Sequence, residues 1–171
     1  KTFNTFEGGA IITKNREVKE KIDKLKNFGI MNETTVEDYG INGKMSEFNA
    51  SLGLLQLKQI DNDIKKRKKI DIYYRKKLNS VIGITCFSYT NMKIGNYSYF
   101  PILVEDNYGL TRDQLYDKLR KKGIYARRYF FPLITDFKIY KSKSNFNNAK
   151  KISNKIICLP IYPELKIKSI D

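Results

Sequence analysis

The chain has 171 residues, 41% of them apolar and 13% aromatic, enough for one domain or one and a part with a buried core. It carries 33 Lys and Arg against 18 Asp and Glu, a formal charge of +15, and no histidine, which removes the commonest general base and metal ligand and argues against a zinc site or a Ser-His pair. No apolar run approaches the roughly 18 residues of a membrane span, no signal-peptide pattern opens the chain, and Cys86 and Cys158 form no C-x-x-C, so a cytoplasmic protein with reduced thiols, no membrane span and no metal is expected.

The chain opens on Lys1-Thr-Phe-Asn-Thr-Phe-Glu-Gly-Gly9, followed by the apolar run Ala10-Ile-Ile-Thr13. Residues 8–13 read as a short strand, and Gly8 and Gly9 as backbone that needs φ > 0 or a close approach. On composition alone Lys1 is one solvated charge among many. A lysine amine, with a free pKa of roughly 10.4, becomes a useful nucleophile only where its site lowers that value or a carbonyl cofactor holds it. Thr13 or Asn15 caps a helix whose Val18, Ile22 and Leu25 recur at i, i+4 and i+7, and Gly29 stops it. Residues 1–29 thus fit the end of a larger α/β domain.

Residues 30–44 are polar and irregular, with a tight Gly40-Ile-Asn-Gly43 loop in which Asn42, taken alone, is a turn asparagine bonding its own backbone. Ser46 caps a helix in which Met45, Phe48, Leu52 and Leu55, then Ile60/Ile64 and Ile70/Tyr74/Leu78, form an apolar stripe. One helix over 47–78 would be roughly 48 Å long, suited to connecting domains or lining a partner; two helices with a kink are the alternative. Gly53 inside it costs about 1 kcal/mol against Ala, which suggests another backbone packed close. The run Lys65-Lys-Arg-Lys-Lys69 reads as a solvated helix face or as an anion-binding patch, and no nucleic-acid-binding signature accompanies it.

Beyond Gly83, residues 81–87 and 97–104 read as strands around a loop at 89–96, with Pro101 implying an edge position or a bulge. Thr111-Arg-Asp-Gln114 is a capping box opening a helix with Leu115 and Leu119, stopped by Gly123. Residues 124–132 read as a strand ending in a turn, 145–157 as a last helix, and Cys158-Leu-Pro-Ile-Tyr-Pro163 as an extended exit. Short strands and helices with short connections indicate a small α+β layer.

Three segments carry a resemblance. Lys1-x-Phe-Asn-Thr-x-Glu-Gly-Gly9, Gly40-x-Asn42-x-Lys44-Met-x-Glu-x-x-Ala50-x-x-Gly53, and Gly123-Ile-x-x-Arg127-x-Tyr129-Phe-x-Pro132 with Leu159-Pro-Ile-Tyr-Pro163 are similar to segments of pyridoxal-phosphate-dependent sugar-nucleotide aminotransferases of the DegT/DnrJ/StrS kind. The resemblance implies a fold-type I α/β enzyme. Residues 1–40 would end its large coenzyme-binding domain, 41–79 would form a loop and long connecting helix, and 80–171 its small α+β C-terminal domain. Lys1 would be the catalytic lysine that holds pyridoxal 5'-phosphate through its amine, and Asn42 would reach across a homodimer to the coenzyme phosphate of the neighbouring subunit. Lys44, Arg127 and Tyr129 would contact the substrate, with surface charge and core packing as the alternative for the last two.

The parent enzyme would transfer an amino group, usually from glutamate, to a keto-sugar nucleotide in deoxysugar and polysaccharide biosynthesis. The Lys-x-Phe-Asn-Thr form most resembles dTDP-3-keto-6-deoxyhexose 3-aminotransferases, and a lysine rather than a histidine at position 1 speaks against the related dehydratases. The chain corresponds to about the second half of a family member and is expected not to hold coenzyme alone. The competing expectation is a non-catalytic basic binding or dimerisation module, with no nucleic-acid signature to favour the former.

Overall fold

A computed structural model describes residues 2–88, 95–140 and 146–170. The chain divides into two compact units, one built from Phe3–Ile60 and the other from Asp61 onward together with Thr2.

The first unit holds helix α1 (Arg16–Leu25), strands β1 (Ile30–Asn32) and β2 (Thr35–Val36), and helix α2 (Glu47–Leu57). Asn15 caps α1 by accepting from Val18 N–H at 3.2 Å, and Ser46 caps α2 by accepting from Asn49 N–H at 3.2 Å. β1 and β2 form a small antiparallel hairpin within the stretch expected to be irregular; Asn32 Oδ1 accepts from Thr34 N–H at 3.1 Å and closes its turn. Residues 8–13 form no strand. Ile11 and Ile12 are 72% and 94% exposed, and an apolar run becomes a strand only where a neighbouring strand takes its backbone hydrogen bonds. No described apolar side chain in this unit is fully buried.

Of the two readings for residues 47–78, one long helix or two, the structure has two. α2 ends at Leu57 and α3 runs Ile60–Leu78. Between them Lys58 N–H bonds Leu55 O at 3.2 Å and Gln59 N–H bonds Gln56 O at 3.0 Å, a tightened i→i+3 turn that ends the α ladder without a glycine or proline.

The second unit packs α3, α4 (Arg112–Lys121) and α5 (Asn147–Lys155) with an antiparallel sheet of β3 (Ile84–Cys86), β4 (Phe100–Val104) and β5 (Ile156–Leu159) in the order β3-β4-β5. Phe100, Ile102 and Ile157 are fully buried beneath Ile70 and Tyr74 of α3, whose ring stacks on Phe100 at 4.7 Å. Each such side chain contributes about 1.5–3 kcal/mol by leaving water. Acidic residues fill the first turn of α3 and Arg75, Lys76 and Lys77 its last, matching the helix dipole. Both legs of the Thr111 capping box form, Gln114 N–H to Thr111 Oγ1 at 3.2 Å and Thr111 N–H to Gln114 Oε1 at 2.9 Å.

Pro101 stands in the central strand, not at an edge. It faces Cys158, but both main-chain groups of Cys158 are spent on Arg127, at 2.9 and 2.7 Å, so β5 asks no hydrogen bond of the proline. On its other side β3 has ended at Cys86, opposite Ile102. A missing N–H is tolerated there because no partner awaits it. The strand expected over 124–132 shrinks to the one bridge between Arg127 and Cys158. The last helix stops at Lys155 and runs directly into β5, which takes the start of the stretch read as an extended exit. Most of the loop expected at 89–96, and Asn145, lie outside the described residues. No described helix is long and apolar enough to cross a membrane, and no cluster of metal-ligating side chains occurs among the described residues.

Candidate functional site

In the first unit the two motif segments interlock. After Lys1, which lies outside the described residues, the chain turns tightly: Phe6 N–H donates to Asn4 Oδ1 at 3.3 Å and Thr5 Oγ1 donates to Glu7 O at 2.8 Å. The start of α2 grips this turn. Asn49 Nδ2 donates to Glu7 O at 2.9 Å, and the Phe6 and Phe48 rings stack at 6.2 Å. A Cβ on Gly8 (φ +146°) would lie 2.7 Å from Thr5 Oγ1 and 2.8 Å from Met45 Cε, so the Gly8 position admits only glycine, as its motif implied; Gly9 has open space. Gly53 accommodates side chains and not a backbone: a Cβ there would stand 3.0 Å from Thr5 Cγ2.

The end of α1 positions Asn42. Its last carbonyls need donors from outside the helix. Ile41 N–H supplies Leu25 O at 2.8 Å, Gly43 N–H supplies Lys26 O at 2.8 Å, and Phe28 N–H returns to Ile41 O at 3.1 Å. The loop is therefore tied along the helix end by its main chain. The Asn42 side chain is exposed and makes no hydrogen bond among the described residues, so it does not act as a turn asparagine. Lys44 is partly committed: Nζ donates to Asn27 Oδ1 at 2.7 Å and sits 4.8 Å from the Phe28 ring centre.

In the second unit Arg127 and Tyr129 come together. Arg127 is fixed by its bridge to Cys158 and its side chain turns toward Tyr129, in the turn that follows, whereas Arg128 turns toward Asp113 and Tyr116. Arg127 is exposed; its guanidinium donates to the Tyr129 hydroxyl and lies 5.3 Å from that ring. Tyr129 meets Tyr99 edge-on at 5.4 Å and stacks on Phe130 at 4.7 Å. Beyond it opens an apolar cavity of about 510 Å³ lined by Phe130, Phe131, Pro132, Ile134, Phe137 and Phe146.

Arg128 is held otherwise. It donates to Asp113 Oδ1 at 2.9 Å, and the same oxygen accepts from Arg112 Nε at 2.8 Å. Arg112 is buried and also donates to Ser153 O at 2.7 Å and Ile156 O at 3.1 Å. Both guanidiniums pack on Phe131, at 4.5 and 5.5 Å. Partial burial works to raise the Asp113 pKa, but the hydrogen bonds from Arg128 and Arg112 outweigh it and hold the carboxyl below its ordinary value. Sequence reading missed this trio and the cavity. Arg112 and Asp113 were visible only as the interior of a capping box.

Pyridoxal phosphate, the cofactor implied by the resemblance, asks a protein for an amine and for donors to its phosphate. The chemistry of Asn42 fits the second need: an exposed carboxamide on a glycine-flanked loop whose main chain is tied to the end of α1, its donors unspent.

Comparison with known proteins follows the same lines. The model of the DegT/DnrJ/EryC1/StrS aminotransferase family matches residues 1–171. The chain is 48% identical over 168 residues to a dTDP-4-amino-4,6-dideoxy-D-glucose transaminase of Shigella dysenteriae, covering 96% of this chain and 46% of that protein. It is 48% identical over 170 residues to the transaminase of the same name from Escherichia coli, again 96% and 46%. Among solved structures it superposes on DesI, crystallised with its TDP-sugar product, with a TM-score of 0.89 at 25% identity over 99% of this chain and 44% of that one. Helicobacter pylori PseC, an aminotransferase of pseudoaminic acid biosynthesis, gives 0.87 at 24% identity over 99% and 47%. The chain therefore has part of the fold-type I architecture and spans about half the length of the relatives it matches.

Proposed function

This chain belongs to the DegT/DnrJ/EryC1/StrS aminotransferase family, and from that premise we propose that it is part of a pyridoxal-phosphate enzyme that moves an amino group, from glutamate, onto a 4-keto-6-deoxyhexose carried on dTDP. The observation that supports this most is the interlock of the Phe3–Gly9 turn with the start of α2, which puts two separate stretches of the aminotransferase motif in one packed unit. The C4 position on the sugar is taken from the names of the 48% identical relatives, both dTDP-4-amino-4,6-dideoxy-D-glucose transaminases, in preference to the C3 position suggested by the Lys-x-Phe-Asn-Thr form.

In this reading residues 1–40 close the large domain and 80–171 form the small one. Lys1 Nζ would hold the coenzyme and, once displaced by the incoming amine, would move the proton lost from or returned to the reacting carbon within each half-reaction. Asn42 donates its carboxamide to the coenzyme phosphate of the partner subunit in a homodimer; the exposed Leu54, Leu55 and Leu57 of α2 are consistent with a surface that is covered in the assembled protein. The coenzyme, when bound, supplies the electron sink for loss of an α-proton. Arg127 and Tyr129 orient the nucleotide sugar, the guanidinium serving its diphosphate. Lys44 adds positive charge beside Asn42.

The test uses the full-length protein. Borohydride reduction of the coenzyme-loaded enzyme followed by peptide mapping should put the pyridoxyl tag on Lys1, and Lys1→Ala should abolish both tag and turnover. With glutamate as donor, dTDP-4-keto-6-deoxyglucose should be aminated. A tag on another lysine would sink the catalytic assignment, and turnover of the 3-keto isomer alone would sink the C4 assignment.

A further inference from the structure

Arg127 and Arg128 are sequence neighbours with opposite employment. Arg127 reaches solvent beside Tyr129, whereas Arg128 is drawn back against Asp113, Tyr116 and Phe131. Two cations, Arg112 and Arg128, share one aromatic ring, and one carboxylate oxygen accepts from both. Arg112 is anchored by Ser153 and Ile156, where α5 passes into β5, so it does not move away. Asp113 is the group that lets Arg128 lie beside it: without the carboxylate two like charges would meet over Phe131, and the more exposed one, Arg128, would swing out. Arg127 is tied to β5 by its main chain, but Tyr129 stands in the turn that follows, between Arg128 and the Phe130–Phe131 pair on which Tyr129 and Arg128 pack; releasing Arg128 therefore frees that turn, and with it the Tyr129 hydroxyl that accepts from the Arg127 guanidinium.

We propose that Asp113 is a positioning residue for nucleotide-sugar binding: by clamping Arg128 against Arg112 and Phe131 it fixes the side from which Arg127 and Tyr129 meet the substrate's diphosphate. The proposal rests on the aminotransferase reading, in which Arg127 and Tyr129 are substrate contacts. Asp113 itself touches neither substrate nor coenzyme. It acts only through its neighbours, so its removal weakens binding without changing the chemistry.

The experiment is a double-mutant cycle in the full-length, coenzyme-loaded enzyme, with dTDP binding by calorimetry as a readout independent of turnover. Asp113→Ala should raise KM for the nucleotide sugar and weaken dTDP about tenfold, with kcat changed less than about twofold. Arg127→Ala should do the same, and adding Asp113→Ala to it should change nothing further, since the clamp works through Arg127. Asp113→Asn, which keeps the size and the acceptor oxygen but not the charge, should fall between wild type and Asp113→Ala, and decides the matter if Asp113→Ala does not fold. A lowered melting temperature with KM and dTDP affinity unchanged would make Asp113 merely structural and overturn the proposal. So would an equal loss of affinity in the Arg127→Ala background. Wild-type enzyme that binds no dTDP would overturn the dTDP-sugar assignment of the proposed function, a different outcome.

Discussion

Gly29 and Gly40 lie back to back. A Cβ on Gly29 would stand 1.7 Å from Asp38 O, and one on Gly40 would stand 2.3 Å from Gly29 N and 2.6 Å from Leu25 O. Gly29 also holds φ +74°, in the left-handed region. This contact lets the chain leave α1, run through the β1–β2 hairpin and return to supply the helix end with donors from Ile41 and Gly43. Gly40→Ala should therefore destabilise the protein by about 2 kcal/mol or more and weaken coenzyme retention in the full-length enzyme, because the Asn42 loop is displaced. Gly9→Ala, with nothing within 4 Å of the added carbon, should stay within about 0.5 kcal/mol of wild type. Urea titration of both variants checks the contrast, and equal midpoints would refute the back-to-back packing.

The ion pair between Asp71 and Arg75 sits in the core of the second unit. Arg75 donates to Asp71 at 2.7 and 3.3 Å, to Phe87 O at 2.5 Å, and packs 5.3 Å from the Phe100 ring. Asp71 is 3% exposed, so its removal takes from Arg75 its buried carboxylate partner. Asp71→Ala should cost about 3 kcal/mol or more. Glu20→Ala, which breaks the exposed Arg16–Glu20 pair, should cost less than about 0.5 kcal/mol. Denaturant unfolding separates the two.

These two cases bear on what a reader of the sequence can recover. Caps and stops were legible where they depend on one or two local residues: Asn15, Ser46, the Thr111–Gln114 box and Gly123 act where expected, whereas α1 already ends at Leu25, before Gly29. The break after Leu57 stood only as an alternative, since the apolar stripe and the helix-forming residues run on through it. The strand at 8–13 failed for the opposite reason: its apolar composition is right, but a strand needs a partner, which no local pattern specifies. Asn42, Lys44, Arg127 and Tyr129 were readable only through their motifs. Asp113 was hidden because Arg128 is brought to it by the packing of α4 beside the 127–131 segment, and because nothing local shows that its neighbour Arg112 is buried.

The two thiols should be inert in the folded chain. Burial pushes Cys158 up to about 11, with a hydrogen bond from the Tyr129 backbone pulling weakly the other way, and burial also raises Cys86. Cys86 pairs with Ile102 and Cys158 with Pro101, neighbours on β4, so the two side chains lie on opposite faces of the sheet with a strand between them and cannot bridge. At pH 8 a thiol of pKa about 11 is roughly 0.1% thiolate. A thiol reagent at pH 8 should therefore react with Cys158 at least about a hundredfold more slowly in the native protein than in urea. Rapid labelling of Cys158 under native conditions would contradict its placement in β5.

Tyr74 gives the second unit a stability that fades in strong alkali. Its ring stacks on Phe100, and its hydroxyl donates to Pro160 O at 2.9 Å. Burial, with a smaller contribution from Tyr162, pushes its pKa up to about 12 from 10.0. The folded state therefore keeps the phenol proton where the unfolded state has lost it. The stabilisation is complete below the unfolded value of about 10 and is lost as pH rises through about 12. The urea midpoint of the wild type should accordingly fall between pH 10 and 12. Tyr74→Phe keeps the ring but removes the hydroxyl, so it should cost about 1 kcal/mol at pH 7 and show a shallower fall above pH 10. Matching slopes for the two proteins across that range would mean that Tyr74 ionises in the folded chain as freely as in the unfolded one, and the packing of α3 on Phe100 and Pro160 would then be wrong.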